Sequence, residues 1–142
     1  MYDAILAPTD GSETAGKAVR EAAELARTFD ATLHVIYVVD VDQKYPLAGS
    51  TDLLEEGLRA EATDLFESIA AEAPDVDLVT SIEAGAPAGS ILEYVERNDV
   101  DLIVIGTHGR SGIDRYLLGS VTQRVTRQAP CSVLVSAKRQ RE

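Results

Sequence analysis

Residues 2–39 decide the fold, and they read YDAILAPTDGSETAGKAVREAAELARTFDATLHVIYVV. Residues 2–8 form a short apolar run typical of a buried strand, which we expect Pro8 to end. Turn residues follow, and Ser12 can cap a helix in which apolar side chains recur at helical spacing. Residues 31–39 are apolar on both faces, as a strand covered on both sides requires. The stretch therefore predicts a strand, a helix and a second, parallel strand.

The alternation of short strands and amphipathic helices continues to the end of the chain. The predicted helices cover residues 12–29, 51–73, a segment that begins at Pro87, and about 120–128; the further strands cover residues 76–83, 102–105 and 132–136. Strands that alternate with helices at these lengths form a parallel sheet with right-handed crossovers. We therefore expect a single, doubly wound α/β domain over residues 1–142, with five parallel strands and about four helices.

Length and composition fit one ordinary soluble domain and exclude several classes of protein. The chain has 142 residues, of which 45% are hydrophobic and 26% charged, and its apolar runs are too short to span a membrane. No basic segment follows Met1, so we expect no secretory signal, and a single cysteine, Cys131, cannot form an internal disulfide. A formal net charge of −11 opposes general nucleic-acid binding, because phosphate contacts need a basic face. We expect a cytoplasmic protein that contacts neither membrane nor nucleic acid.

The charge is unevenly distributed along the chain. Residues 102–142 hold seven basic and two acidic side chains, a net +5, which leaves −16 for residues 1–101. Lysine is scarce, with three lysines against ten arginines. A lysine-poor acidic surface stays hydrated in concentrated salt, so the two interpretations are a halophilic cytoplasm and a merely acidic mesophilic protein.

Three segments converge where parallel sheets bind ligands, beyond the carboxyl ends of the strands at the switch in strand order. They are residues 8–12 after the first strand, residues 38–40 at the end of the second, and the loop that begins Gly106-Thr107-His108-Gly109 and ends at Gly119-Ser120. Glycines let backbone N–H groups approach an anion closely, and the start of the helix after the loop favours phosphate. Taken alone, the same glycines could serve only turns and helix packing.

Other motifs for nucleotide binding or hydrolysis are missing from the sequence. It contains no GxxxxGK[ST] P-loop, no GxGxxG after the first strand and no GxSxG nucleophile elbow. The P-loop NTPase and dinucleotide-binding interpretations therefore fail.

The glycine loop resembles the motif of a known family. Gly106, Gly109 and the pair Gly119-Ser120 have the spacing of the G-x2-G-x9-G-[ST] motif of the universal stress protein superfamily. The opening strand and turn, the residues around Gly119 and the last strand are also similar to that family, so the resemblance covers essentially the whole chain. It implies a Rossmann-like fold with strand order 3-2-1-4-5, commonly dimeric, and the ATP-binding branch, whose full motif this sequence keeps.

The resemblance also implies a role for each matched residue. Asp10 is expected to hold the ribose hydroxyls, Thr9 to line the same turn, and the backbone of Val38 to meet the adenine edge. The residues expected to bind ribose and phosphates are Gly106, His108, Gly109, Arg110, Gly119, Ser120 and the Val121 amide. Tyr37 departs from the histidine that many relatives carry at that position, beside the expected adenine pocket.

Three functions are compatible with such a site. A regulatory, stress-response protein that binds ATP comes first, with Mg²⁺ or Mn²⁺ able to accompany the nucleotide through its phosphates. An enzyme that turns over ATP comes second, but no general base is evident, since the resemblance commits Asp10 to ribose. An interaction module without nucleotide is the third, and the intact glycine motif opposes it. We expect no enzyme, although slow ATP hydrolysis stays open.

Residues 131–136 predict an apolar strand close to the end of the chain. The family's strand order places it at a sheet edge, where Val133, Leu134 and Val135 invite pairing with another chain. We expect a homodimer in which two such strands pair antiparallel about a twofold axis. The alternative is a monomer whose C-terminal tail covers the edge.

The remaining reactive side chains favour structural roles. His34 lies within an apolar strand and is expected to be packed or hydrogen-bonded, and no second ligand stands at metal spacing beside His108. Cys131 is expected to be structural, and the acidic residues of the long helix are expected to face solvent. Ser12 and Ser120 are expected to cap helices rather than to accept phosphate groups.

Overall fold

A computed structural model describes residues 1–40, 51–108 and 119–137, in which strands and helices alternate from end to end. The strands are β1 (Ala4–Thr9), β2 (Thr32–Val39), β3 (Asp77–Ala84), β4 (Leu102–Gly106) and β5 (Ser132–Ser136). The helices are α1 (Glu13–Phe29), α2 (Thr51–Glu72), α3 (Pro87–Arg97) and α4 (Ser120–Gln128). Every predicted element is present, with its ends within two residues of the predicted ones.

The described strands form one parallel sheet in the order β3-β2-β1-β4-β5. The chain runs outward from β1 through β2 to β3, and then returns to the other side of β1 with β4 and β5. The strand order therefore switches between β1 and β4, where an open parallel sheet has its ligand crevice. The predicted doubly wound α/β fold and its strand order are confirmed.

Helices cover both faces of the sheet. On one face, α1 and α2 pack over a core cluster whose largest fully buried members are Ile5, Leu33, Val35 and Val104. On the other face, α3 and α4 pack over a cluster whose largest fully buried members are Leu6, Ile36, Ile103 and Val125. Burial on both faces explains why β1, β2 and β4 are almost continuously apolar.

Pro8 does not end β1, contrary to the sequence prediction. The strand continues to Thr9, and Pro8 pairs with Ile36 of β2 within it. Proline lacks the N–H that donates a ladder hydrogen bond. The pairing that loses this hydrogen bond depends on which side of β1 the nitrogen of Pro8 faces.

The missing N–H of Pro8 lies on the β4 side. Asp3 directs its carbonyl toward β2, where it accepts from the first residue of that strand, and Ala4 directs its carbonyl toward the start of β4. Because main-chain groups alternate between the two sides of a strand, Pro8 faces β4, as Ala4 does. Accordingly β1 pairs with β2 to its end, whereas its pairing with β4 stops at Leu6 and Ile103. The carboxyl ends of the two central strands are thus left without a shared ladder at the switch point.

Candidate functional site

Those predicted site residues that the structure describes lie at the carboxyl edge of the sheet. Thr9 is in register with Tyr37 at the end of the β1–β2 ladder, and Gly106 is in register with Ser136 at the end of the β4–β5 ladder. The residues that follow β1, β2 and β4 therefore surround the crevice at the switch point.

The turn after β1 is fixed by its own side chains. The Thr9 hydroxyl accepts from the N–H of Gly11 at 3.1 Å, and Asp10 Oδ1 accepts from the N–H of Ser12 at 2.9 Å. Gly11 has a φ of +83°, in the region that glycine adopts most readily. Ser12 then caps α1 by accepting from the N–H of Ala15 at 3.2 Å, which confirms its predicted role. The turn holds the Asp10 carboxylate at the edge of the crevice.

The end of β2 contributes main chain rather than a polar side chain. Val38 lies one residue beyond the last pair with β1. Main-chain groups alternate between the two sides of a strand, so Val38 faces the same side as Thr32, whose N–H faces β1. Its main chain therefore faces the side on which Asp10 stands. The Val38 side chain is half-buried against the core under α3 and α4.

Tyr37 points to the opposite face of the sheet from Val38. Its ring is buried beneath α2, and its hydroxyl donates to Glu61 Oε1 at 2.9 Å. The departure from histidine at this position is therefore accommodated by a contact with α2.

The two described ends of the glycine loop are joined by hydrogen bonds. The N–H of Gly119 donates to the carbonyl of Thr107 at 2.7 Å, and the Thr122 hydroxyl donates to the carbonyl of Gly106 at 2.7 Å. His108 Nδ1 lies 3.2 Å from the Thr107 hydroxyl. The predicted contacts of Gly109 and Arg110 lie outside the described residues.

Helix α4 begins at this closure with its amide groups toward the crevice. Gly119 is its N-cap, in extended conformation and with no side-chain cap, and Ser120 is the first helical residue. The predicted capping role of Ser120 is therefore wrong, since the residue before it takes the cap position. The N–H groups of Ser120, Val121 and Thr122 have no acceptor within the helix, and together with the helix dipole they form an anion-binding end.

Sequence reasoning missed four residues at this edge. Thr107 and Thr122 close the loop, and Thr14 of α1 lies against Gly106. Lys17 of α1 donates from Nζ to the carbonyl of Ala137 at 2.5 Å, at the end of β5. Thr107 belongs to the loop already singled out, whereas Thr14 and Thr122 lie just outside the named segments, and no local sequence signal indicates their contacts.

The other candidate side chains have structural surroundings. His34 Nδ1 lies 2.7 Å from the Tyr94 hydroxyl, which confirms the expected hydrogen-bonded histidine, and burial lowers the pKa of its imidazole. Burial likewise raises the pKa of the Cys131 thiol, which packs against the core under α3 and α4. Within residues 1–40, 51–108 and 119–137 no group of three metal-ligating side chains occurs. In the same residues no helix is both long and apolar enough to cross a membrane.

Comparisons with known proteins agree with this geometry. A model of the universal stress protein family matches residues 1–137. A universal stress protein of Methanocaldococcus jannaschii is 40% identical over 100% of this chain and 86% of its own length. The solved structure of a universal stress protein from Lactobacillus plantarum superimposes with a TM-score of 0.85 and 34% identity, over 95% of this chain and 97% of that one. A universal stress protein solved in complex with cAMP superimposes with a TM-score of 0.71 and 27% identity, over 94% and 96% of the two chains.

Proposed function

The chain belongs to the universal stress protein family, and from that membership and the site geometry we propose that it binds an adenine nucleotide, ATP in particular, as a regulatory protein. The observation that carries the proposal is that the β1–β4 ladder ends at Leu6 and Ile103, with the Asp10 turn after β1 and the amide end of α4, tied to Thr107 after β4, at the same edge of the sheet. A carboxylate suits a ribose diol, and main-chain amides suit phosphate.

Each described residue has a defined part in this binding mode. Asp10 would accept hydrogen bonds from the ribose hydroxyls, and the Val38 main chain would meet the adenine edge. The amides of Ser120 and Val121 would hold the distal phosphates, with Gly106 and His108 along the nearer part of the nucleotide. We assign Gly109 and Arg110 to the same phosphates from the family motif alone.

The choice of an adenine nucleotide has support from the solved relatives. The structure solved with cAMP shows that a protein of this fold and 27% identity takes an adenine ring and a ribose phosphate. We favour ATP because the start of α4 offers several amide donors, and because the family motif assigns Gly109 and Arg110 to phosphates as well. Mg²⁺ or Mn²⁺ would be held through the phosphates, since the described residues contain no cluster of metal ligands.

We propose a regulatory role rather than catalysis. The Asp10 carboxylate is tied to the Ser12 amide at 2.9 Å and is assigned to ribose, and His108 is paired with Thr107. We therefore assign neither group as the general base for a water that attacks the terminal phosphate. We also infer a cytoplasmic homodimer that assembles through β5.

Nucleotide analysis tests the proposal directly. Mass spectrometry of the small molecules released from the denatured, purified protein should find ATP. Recovery of ADP or AMP would favour turnover, and recovery of no nucleotide, with no ATP binding in calorimetry, would contradict the proposal.

Two variants separate phosphate from ribose recognition. Ser120→Pro removes one amide at the first helical position, where proline is well tolerated, so ATP should bind roughly tenfold more weakly while adenosine is unchanged. Asp10→Asn keeps an acceptor for the Ser12 amide but loses the charge, so both ligands should weaken together. Equal losses of ATP and adenosine in Ser120→Pro would remove α4 from the phosphate site.

A further inference from the structure

The carbonyl of Gly106, the last residue of β4, lies beyond the reach of the β1–β4 ladder. Leu6, like Ala4, directs its main chain toward β4, so its partner Ile103 directs its own main chain toward β5. Because main-chain groups alternate between the two sides of a strand, Gly106 directs its carbonyl back toward β1. The ladder between these two strands ends at Leu6 and Ile103, and Gly106 is buried. Its carbonyl therefore needs a donor from another element.

Thr122 of α4 supplies that donor. Its hydroxyl donates to the Gly106 carbonyl at 2.7 Å, and the residue is only 3% exposed. Thr122 lies in the first turn of α4, which begins at Ser120. Its side chain thus reaches from the helix to the strand instead of bonding to the helix's own main chain.

An ordinary cap at this end of α4 would occupy the amides that a phosphate needs. A serine, threonine, aspartate or asparagine at the N-cap accepts from the second or third N–H of the helix. Gly119 takes the N-cap position without such a side chain, and a Cβ on it would lie 3.3 Å from the Thr107 carbonyl oxygen. The first amides of α4 therefore stay available to an anion, and contacts other than a side-chain cap have to hold the start of the helix in place.

Two hydrogen bonds tie the start of α4 to the end of β4. The Gly119 N–H donates to the Thr107 carbonyl at 2.7 Å, and the Thr122 hydroxyl donates to the Gly106 carbonyl. The first bond joins the two elements at one point, and the second, three residues later, fixes the rotation of the helix about that point. Donors recognise a ligand well only when neighbouring contacts hold their direction, so the second bond bears on binding as well as on packing.

We propose that Thr122 is a positioning residue for phosphate binding, whose hydroxyl orients the free amides of α4 without touching the ligand. This inference rests on the proposed function, which assigns the phosphates to those amides. Valine at this position keeps the shape of threonine but leaves the Gly106 carbonyl without its donor, whereas serine keeps the hydroxyl. Loss of the hydroxyl should weaken phosphate binding and spare adenosine, because Asp10 and Val38 lie on other elements.

Calorimetry on the intact protein with ATP, adenosine and inorganic tripolyphosphate tests this role. We expect Thr122→Val to bind ATP and tripolyphosphate roughly tenfold more weakly, with adenosine within about twofold of the wild type. Thr122→Ser should restore the binding of both phosphate ligands. Thr126→Val is the matched control, since it removes an exposed hydroxyl of the same helix that donates to the Gln123 carbonyl at 2.9 Å, and it should match the wild type.

The outcomes separate this role from the proposed function. Equal losses of ATP and adenosine in Thr122→Val, or losses no larger than those of Thr126→Val, would overturn the proposal. If the valine variant does not fold, Thr122→Ala replaces it, because alanine and serine differ only in the hydroxyl, and equal tripolyphosphate binding by these two variants would overturn the proposal too. A wild type that binds tripolyphosphate but neither ATP nor adenosine would contradict the nucleotide function alone, and one that binds none of the three would overturn both.

Discussion

Gly106 lies so close to Thr14 that no larger residue fits without movement. A Cβ atom placed on Gly106 would come within 2.8 Å of Thr14 Cγ2 and 3.2 Å of the Thr14 carbonyl oxygen. The first glycine of the loop therefore brings α1 close to the end of β4, in addition to any approach of a ligand. Part of the glycine motif is thus required by packing, which was one of the two interpretations that spacing alone left open.

Gly106→Ala should destabilise the protein by about 1–3 kcal/mol, because the contact involves a stiff β-branched side chain and a backbone carbonyl. Denaturant unfolding measures the change. Thr14→Ser in the same protein removes Cγ2 and should recover part of the loss.

Gly57→Ala is the matched control for this substitution. A Cβ on Gly57 meets nothing within 4 Å, and the residue lies within α2, so alanine should stabilise the helix by up to about 1 kcal/mol. If Gly106→Ala were as harmless as Gly57→Ala, the close approach of α1 to β4 would be wrong.

His34 should make stability depend on pH. Burial lowers the pKa of the folded imidazole, and Asp77 offsets part of that shift, whereas the unfolded chain keeps a pKa of about 6.5. The unfolded state therefore binds the proton first, so the contribution is complete above about pH 6.5 and is lost as pH falls toward the folded pKa. Unfolding free energies measured from pH 8 to pH 5 should fall for the wild type.

His34→Asn isolates this contribution. Asparagine can hydrogen-bond the Tyr94 hydroxyl through its amide but does not titrate, so the variant should lose less stability than the wild type between pH 6.5 and pH 5. Parallel curves for the two proteins would mean that His34 is not the group responsible.

The sequence was sufficient for the fold but not for contacts that depend on geometry across elements. The apolar runs of β1, β2 and β4 and the periodicity of α1 predicted the sheet, because burial on both faces leaves a clear pattern. The predicted end of β1 at Pro8 was wrong. A proline in the sequence does not reveal which neighbouring strand its missing N–H would face.

The site was predicted as a set of segments more accurately than as a set of contacts. The turn at Asp10, the end of β2 and the start of α4 do lie at one edge, as parallel topology requires. Ser120 was assigned the cap that Gly119 takes, since local sequence does not fix which residue is the last extended one. Thr14 could not be predicted, because its contact with Gly106 joins two elements that are distant in sequence.

Salt should distinguish a halophilic protein from an ordinary acidic one. The Debye length falls from about 10 Å at 0.1 M to about 3 Å at 1 M, so relief of charge repulsion is nearly complete by 1 M KCl. A surface with 24 acidic residues and few lysines that is adapted to concentrated salt should continue to gain stability above that. The halophilic interpretation predicts that the melting temperature rises by about 5 °C or more between 1 M and 3 M KCl, and the mesophilic interpretation predicts no further rise. The same melting temperature in dilute and molar KCl would contradict the halophilic interpretation.

Strand β5 should pair two protomers into a dimer. β5 lies at the edge of the sheet beside β4, and Leu134 is 37% exposed on it. Leu6, like Ala4, directs its main chain toward β4, so its partner Ile103 directs its own main chain away from β1 and toward β5. Val133 is paired with Ile103, and its N–H therefore faces the free side of β5. Val133→Pro should therefore remove a donor from the dimer ladder without breaking the bonds to β4.

Light scattering should show a dimer for the wild type and a shift toward monomer for this variant. Thr80→Pro removes the corresponding outward donor from β3 at the other edge, since its partner Val35 directs its own main chain toward β3, and should leave the dimer intact. A wild-type monomer at tens of micromolar, in salt that keeps the chain folded, would show instead that the β5 edge is closed within one protomer.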